Sequence, residues 1–499
     1  MNFKARTLTV SSFALLLTLV SLISCETQEP VVTGSAELEQ TDKLQEILDL
    51  GFDRRDIQDK GDYYLVEGDI YFSKNDAEKP RADGRKDQAS TNNLVSYAER
   101  PNITVRIDGS IPSSGVDDWR NEIQQSIDHW NSIADFGINL IYITSGTADI
   151  TVLSDNGVLE DPVLAAAEFP SGGLAGYRIR INLDFNGNTT MSSSQKVHTI
   201  VHEFGHCIGF RHTNWASEGT GSVGANPIPG TPSSDGASVM NGGTPFNTWA
   251  GFSTYDVIGA QNLYPRPRLY IVQGASLYGV NVNNGEWAPI GTSTWINSRV
   301  MTNANGLLYI VQDPGLYQAS TKSSSWSQVG TGNWTGTNLM TNQDGYLYMV
   351  QTFGLYRMTP GTGSYTRVGT GDWTGSTAMT ADSQSLYIVQ SYGLYKVNST
   401  TGTWVRLGTG DWTGTNILTS HNGYLYAVQG AGLYRIDPNT GSYASVNPDD
   451  WTGSNLISAY DGYLYIVQPP ALYRVNASTG TYVTLSANSW GGSTAMTAF

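Results

Sequence analysis

Between Asn93 and Tyr264 the hydrophobic period of the chain switches repeatedly between two residues and about three and a half. Alternation in NITVRID (102–108) predicts a strand, and WRNEIQQSIDHWNSI (119–133) carries apolar residues at helical spacing. INLIYI (138–143), ADITVL (148–153), LAAAEF (164–169) and YRIRINLDF (177–185) return to strand patterns. SSSQKVHTIVHEFGHCIGF (192–210) then predicts a long helix opened by a Ser192-x-x-Gln195 capping box. Strands leading into a long helix imply a mixed twisted sheet with helices packed on it, an α+β domain.

Beyond the Pro265-Arg266-Pro267-Arg268 stretch the pattern becomes a repeat. Leu-Tyr-x-Val-Gln begins at residues 269, 308, 347, 386, 425 and 464, a step of 39 each time. A second Leu-Tyr follows at Leu277, Leu316, Leu355, Leu394, Leu433 and Leu472, and a tryptophan recurs at Trp295, Trp334, Trp373, Trp412, Trp451 and Trp490. Each unit offers four short strands, in the fourth unit LYIVQ, GLYKV, TWVRL and NILTS. Four strands in about 40 residues match a propeller blade, so residues 266–499 are expected to form an all-β, six-bladed propeller. A straight β-solenoid is the alternative, although its repeats are generally shorter.

Upstream, TDKLQEILDLGF (41–52) has Leu44, Ile47 and Leu48 at helical spacing, and GDYYLVEGDIYF (61–72) reads as a strand pair or a bent strand. Residues 75–91 are charged and without an apolar period, as in a linker. The unit so enclosed is too small for an independent core and is expected to lean on the next domain as a pro-segment. The first residues differ again. Lys4 and Arg6 precede an apolar run, Phe13 to Ile23, too short for a spanning helix.

Composition narrows the class. Charged residues are 14% of the chain against roughly 25% in an average soluble domain, and glycine is frequent, which suits a turn-rich exported β protein. The net charge of −16 leaves no basic footprint, so no nucleic-acid partner is expected. Two cysteines, Cys25 and Cys207, exclude a disulfide framework.

Chemistry concentrates in His202-Glu203-Phe204-Gly205-His206-Cys207-Ile208-Gly209-Phe210-Arg211-His212. Residues i and i+4 share a helix face, so His202 and His206 can hold one ion. Gly209 lets the chain leave the helix through a left-handed turn and swings His212 back as third ligand. Three protein ligands leave a position open, as in catalytic rather than structural zinc. One catalytic Zn2+ is therefore expected, lowering the pKa of its bound water towards about 7, with Glu203 one step round the helix as general base for that water. The alternative is a buried helix with satisfied histidines. His198, one turn earlier, is expected on the helix face or behind the ligands, and Cys207 as a small buried apolar group.

This motif resembles that of the metzincin zinc peptidases. Ser238-Val239-Met240-Asn241 is similar to their Met-turn, whose methionine, here Met240, packs beneath the metal. Residues 164–184 resemble the edge-strand region of the matrixin branch, and Tyr255 to Tyr264 its C-terminal helix; Tyr255 is expected to pack there. The bacterial dual-action HEIGH metallopeptidases, with an HEFGH-like core and a preceding small domain, are the nearest resemblance. Astacins and serralysins place a tyrosine ligand where Gly242 stands here, so no fifth ligand is expected at that position. The resemblance implies a zinc endopeptidase of metzincin type acting on polypeptides. Substrate is expected to lie along an exposed edge strand, Leu164, Ala165, Ala166 and Ala167. Several exported metallopeptidases are held latent by a carboxylate or thiolate; no cysteine is free here, so Asp69 within VEGDIYF or a nearby acid is the candidate.

Leu22-Ile23-Ser24-Cys25 resembles the lipobox of bacterial lipoproteins. It implies a signal peptide at 1–24, lipid on Cys25, and a membrane-anchored protein of the outer membrane or cell surface; an ordinary cleaved signal is the alternative. The division is thus 1–24 signal, 25–92 tether and pro-segment, 93–265 peptidase and 266–499 propeller. The blade aromatics with nearby Asp, Asn and Gln resemble tachylectin- or tectonin-type lectin propellers, which implies glycan or glycoprotein docking. Protein docking, an inert spacer, and Trp and Gln used only for packing stay open. Asp155-Asn156-Gly157 and Asp184-Phe185-Asn186-Gly187 have calcium-binding composition. A lectin-like adhesin with an inactive peptidase domain is the competing reading of the whole.

Overall fold

The structure is a computed structural model describing residues 43–45, 47, 48, 52, 54–74, 89–186, 190–214, 226–232, 234–243, 246–323, 325–487 and 489–499. The expected signal, Cys25, the tether at 26–40 and residues 75–88 of the linker lie outside the described residues.

Among the described residues nine short strands precede the long helix that carries His202 and His206. They are β1 (Ile57–Asp59), β2 (Tyr63–Val66), β3 (Ile70–Ser73), β4 (Ala89–Ser90), β5 (Ile103–Ile107), β6 (Leu140–Tyr142), β7 (Ile150–Ser154), β8 (Ala165–Ala167) and β9 (Arg178–Ile181). All but β4 form one mixed sheet in the order β1-β2-β3-β8-β9-β7-β5-β6. Alternation explains the inner strands: along β7, Ile150, Val152 and Ser154 are buried while Thr151 and Leu153 are half-buried. Helices α1 (Arg120–Ser132), α2 (Ser193–Cys207) and α3 (Thr254–Leu263) complete the domain. On α1 the buried residues Ile123, Ser126, Ile127 and Trp130 share one stripe, and Trp130 Nε1 donates to the Val201 carbonyl of α2 at 3.0 Å. The Ser192 capping box opens α2.

The described residues of the small preceding unit do more than lean on this domain. Strands β1–β3 extend the sheet itself, with β3 parallel to β8 through Ile70 and Ala167. GDYYLVEGDIYF is a hairpin, not a bent strand, and it turns at Glu67 (φ +52°) and Gly68 (φ +95°). Two left-handed residues in succession make the tight turn whose twist suits antiparallel strands. Ile47, Phe52, Tyr64, Val66, Ile70 and Phe72 form their own cluster with Phe169, which follows β8.

The C-terminal region is a ring of six four-stranded sheets. Repeat and blade are offset by one strand. The fourth strand of each repeat becomes the innermost strand of the next blade, so Ile417–His421 pairs with Tyr424–Gln429. The last such strand, Ser493–Ala498, pairs antiparallel with Leu269–Gln273 of the first blade and closes the ring. Every repeat tryptophan is buried between blades. The Trp334 backbone N–H donates to the Pro314 carbonyl of one blade, and its ring meets Tyr356 and Tyr365 of the next. The repeat glutamines are equally structural: Gln390 Nε2 donates to the carbonyls of Asp372 and Thr374, and all six make the same pair of bonds. The side chains expected as sugar platforms thus hold the ring together. A different set faces solvent, one residue per outer strand: Trp287, Trp326, Tyr365, Trp404, Tyr443 and Tyr482, again 39 residues apart.

The two domains touch through Asn102 Nδ2, which donates to the Pro289 carbonyl, and through Lys322 Nζ, which donates to the carbonyls of Asn131 and Ile133. Among the described residues no helix is long and apolar enough to cross a membrane.

Candidate active site

Helix α2 presents His202 and His206 one turn apart, and the chain turns at Gly209 (φ +97°) to return His212. Ring centroids of the three imidazoles lie 4.6–5.1 Å apart. His202 Nδ1 bonds the Val239 carbonyl at 2.7 Å, and His206 Nδ1 bonds the Phe210 carbonyl at 2.8 Å. With Nδ1 donating to a carbonyl, Nε2 is left as the basic nitrogen, and on both residues it turns inward. His202 Nε2 and His212 Nε2 are 3.2 Å apart.

The segment expected as a Met-turn, Ser238 to Asn241, packs against α2 through Met240. A Cβ built on Gly205 would fall 2.3 Å from Met240 Sδ, so this face of α2 admits only glycine while Met240 keeps its place. The turn is anchored from α3 by Asp256, whose carboxylate accepts from Ser238 Oγ at 2.5 Å and from the Val239 N–H at 3.0 Å. Asp256 also closes the capping box of α3 with Ser253. It therefore holds the residue whose carbonyl orients His202. Sequence reasoning missed this role, although Ser253-x-x-Asp256 was a visible capping signal.

Asp69 completes the cluster. Its carboxylate oxygens lie 3.0 Å from His212 Nε2, 3.5 Å from His202 Nε2 and 3.7 Å from His206 Nε2. One ligand atom from each of these four residues falls within 4.8 Å of the others, the donor set of a divalent metal ion. Burial alone would raise the Asp69 pKa, but the imidazoles of His212, His202 and His206 around it hold it well below the usual carboxylate range. Burial, and the neighbouring His202, keep His206 neutral and able to coordinate. His206 Nε2 and Asp69 Oδ1 are buried without a hydrogen-bond partner, which an ion between them would satisfy.

Glu203 is buried beside this cluster, its Oε2 also without a partner. Burial first, then the Asp69 charge, raises its pKa well above the ordinary value. A cavity of about 400 Å3 runs between the hairpin and the site, lined by Tyr63, Leu65, Asp69, Leu164, Ala165, His202 and Glu203.

The expectation of an open edge at Ala165, Ala166 and Ala167 is corrected here. These residues are 3%, 0% and 0% exposed, because the hairpin strand β3 takes the position beside them. Leu164 is buried as well, though it still lines the cavity. Tyr255 does not pack as expected and stands 40% exposed. His198 also lines the cavity, and burial pulls its pKa down to about 4. Cys207 is fully buried, and burial raises its thiol pKa. Gly242 donates its N–H to Asn214 Oδ1. Of the calcium candidates, Asp155 spends a carboxylate oxygen on the Leu159 N–H, and Gly187 lies outside the described residues. Among the described residues Asp69 and the three histidines are the one metal-type cluster.

No curated protein matches the chain. Similar solved structures include a chain of a nidogen/laminin complex (TM-score 0.40, 10% identity, covering 46% of this chain and 97% of that one). Virginiamycin B lyase from Staphylococcus aureus is similar at TM-score 0.34 and 14% identity, covering 44% and 80%. A symmetrical protein from a study of de novo evolutionary emergence follows at TM-score 0.30 and 16% identity, covering 46% and 97%. Likenesses this low say nothing of activity or partner. The family profile described as dual-action HEIGH metallo-peptidase matches residues 64–264, which span the hairpin, the three histidines, the Met-turn and α3. Residues 64–264, well under half of the chain, are thus similar to the dual-action HEIGH metallo-peptidase family, and they are joined in this chain to a six-bladed β-propeller.

Proposed function

We propose that the chain is a zinc endopeptidase of metzincin type, exported and lipid-anchored at Cys25, held latent by Asp69 until its hairpin leaves the cleft. The observation that carries this reading is the convergence of His202, His206 and His212 beside a buried, unpartnered Glu203. His202, His206 and His212 would hold the ion, with Asp69 in the remaining place. When bound, zinc supplies a Lewis acid and water acidified towards neutral pH. Glu203 takes up the proton and passes it to the leaving amine, from a buried position beside the three histidines. With β3 withdrawn, the backbone of Ala165–Ala167 would offer its edge to an extended polypeptide.

Docking of glycan or protein partners by the propeller belongs to the same proposal. Its support is the ring of outer-strand aromatics from Trp287 to Tyr482, not the buried tryptophans. A glycan array probed with the full chain and with a Trp326→Ala, Trp404→Ala variant tests that part. The competing reading, an adhesin with an inactive peptidase domain, has the intact Glu203 against it.

The peptidase reading is tested on the full chain carrying Asp69→Asn, with a denatured protein as substrate. Chelator-sensitive cleavage that Glu203→Gln lowers by roughly 10²-fold or more, at unchanged zinc content, is expected. Cleavage that survives Glu203→Gln would remove the general-base role.

A further inference from the structure

The hairpin turn brings two carboxylates into the cleft, and only Asp69 meets the imidazoles. Glu67 directs its carboxylate at Nη2 of Arg211, in a pair whose side chains are 0% and 1% exposed. Phe52 lies against the same guanidinium, its ring centroid 4.3 Å away. Arg211 Nε and Nη1 have no hydrogen-bond partner among the described residues. The partners of this guanidinium therefore come from residues 52–67, the segment that must withdraw in the latency reading on which this inference rests. The Arg211 backbone belongs instead to the site. Its N–H donates to the Ala89 carbonyl at 2.8 Å, and the next residue is the ligand His212.

When the hairpin leaves, the cation stays. A guanidinium keeps its charge at any physiological pH, and its planar fork fits a carboxylate. With Glu67 and Phe52 withdrawn the guanidinium opens onto the cleft without its carboxylate, so the vacated place favours a negative group over a neutral one. Glu67 holds that place at φ +52°, a left-handed conformation that turns ordinarily give to Asn, Asp or Gly. Such a residue persists where its surroundings fix it, here by the Arg211 pair. Only Gly68 separates Glu67 from Asp69, so the charge read by Arg211 lies within a residue or two of the atoms at the imidazoles.

We propose that Arg211 is a carboxylate-binding subsite of the cleft, taking an acidic side chain or the C-terminal carboxylate of a substrate polypeptide, with Glu67 as its internal stand-in.

The test uses the full chain with Glu67→Ala and Asp69→Ala, so that both internal carboxylates are gone. Paired peptides differ only by Glu against Gln at each position, or by a free acid against an amide at the C-terminus. Turnover is measured with Glu203 intact, and binding by fluorescence polarisation with Glu203→Gln added. Acid-bearing peptides are expected to be favoured about 10-fold or more at one position, in kcat/KM and in Kd, the effect of one charge-assisted pair. Which member of the set shows it separates a side chain from a chain terminus. Arg211→Gln should lower binding and turnover of the acidic peptides about 10-fold more than those of their neutral partners, which abolishes the preference; if it does not fold, Arg211→Lys should retain a reduced preference. Turnover without preference for acid at any position, or equal losses on acidic and neutral peptides, overturns the proposal and leaves the peptidase reading standing. Acid-selective binding that depends on Arg211, with no turnover of any peptide, supports the proposal and sinks the peptidase reading. Absence of both binding and turnover overturns the two together.

Discussion

Asp69 Oδ2 lies 3.0 Å from His212 Nε2, carried there by a hairpin that pairs with the edge strand of the peptidase sheet. Backbone pairing through β3 and a carboxylate at the metal ligands close the cleft in two independent ways. Asp69→Asn in the full chain is expected to weaken the second and raise hydrolysis of a denatured substrate about 10-fold or more, since a charged ligand is replaced by a neutral one. An initial rate equal to that of the unsubstituted chain would take Asp69 out of any latency mechanism.

The Gly205–Met240 contact limits what α2 can carry. A methyl group at Gly205 must displace a buried methionine that underlies the ligand face, which costs about 1–3 kcal/mol for an overpacked core. Gly205→Ala should lower the melting temperature of the peptidase domain by several degrees and release the ion at lower chelator concentration. Unaltered melting and metal retention would show that Met240 gives way freely.

His198 gives the metal-free protein an acid sensitivity. Its imidazole binds a proton near pH 6.5 when unfolded but only near 4 in the fold, with burial as the main cause. Between those values the unfolded chain holds more protons, so stability is full above about pH 6.5 and falls as the pH drops towards 4. The loss attributable to this group is at most about 3 kcal/mol. Denaturant unfolding at pH 7 and pH 4.5, in chelator, should show it, and His198→Asn should flatten the difference. A variant with the same pH slope would place the sensitivity elsewhere.

Ring closure depends on the last strand. Removing residues 493–499 strips the partner from Leu269–Gln273 and the inner strand from the first blade. The truncated chain is expected to lose the cooperative melting of the propeller and to self-associate through the freed edge, seen by calorimetry and size-exclusion chromatography. A monomer with an unchanged transition would mean that the ring does not need this closure.

How much of this was legible depended on the range of the interactions involved. The i, i+4 histidines, the glycine turn, the capping box at Ser192 and the 39-residue period are local patterns, and the sequence alone determined the α2 helix, the convergence of ligands on one of its faces and the six-fold repetition. Asp69 could be named as a candidate, because the small preceding unit has no cysteine after Cys25 to serve instead, but nothing local separated it from the many other acids around it. The sequence could not say that β3 covers Ala165–Ala167, that Glu67 neutralises Arg211, that Asp256 holds the Met-turn, or that each repeat lends a strand to the next blade. These are pairings between residues distant along the chain, chosen by which buried charge or backbone group lacks a nearer partner. Nothing in a local hydrophobic period encodes that choice; for the same reason the buried blade tryptophans and the exposed outer-strand aromatics looked alike until the blades were stacked.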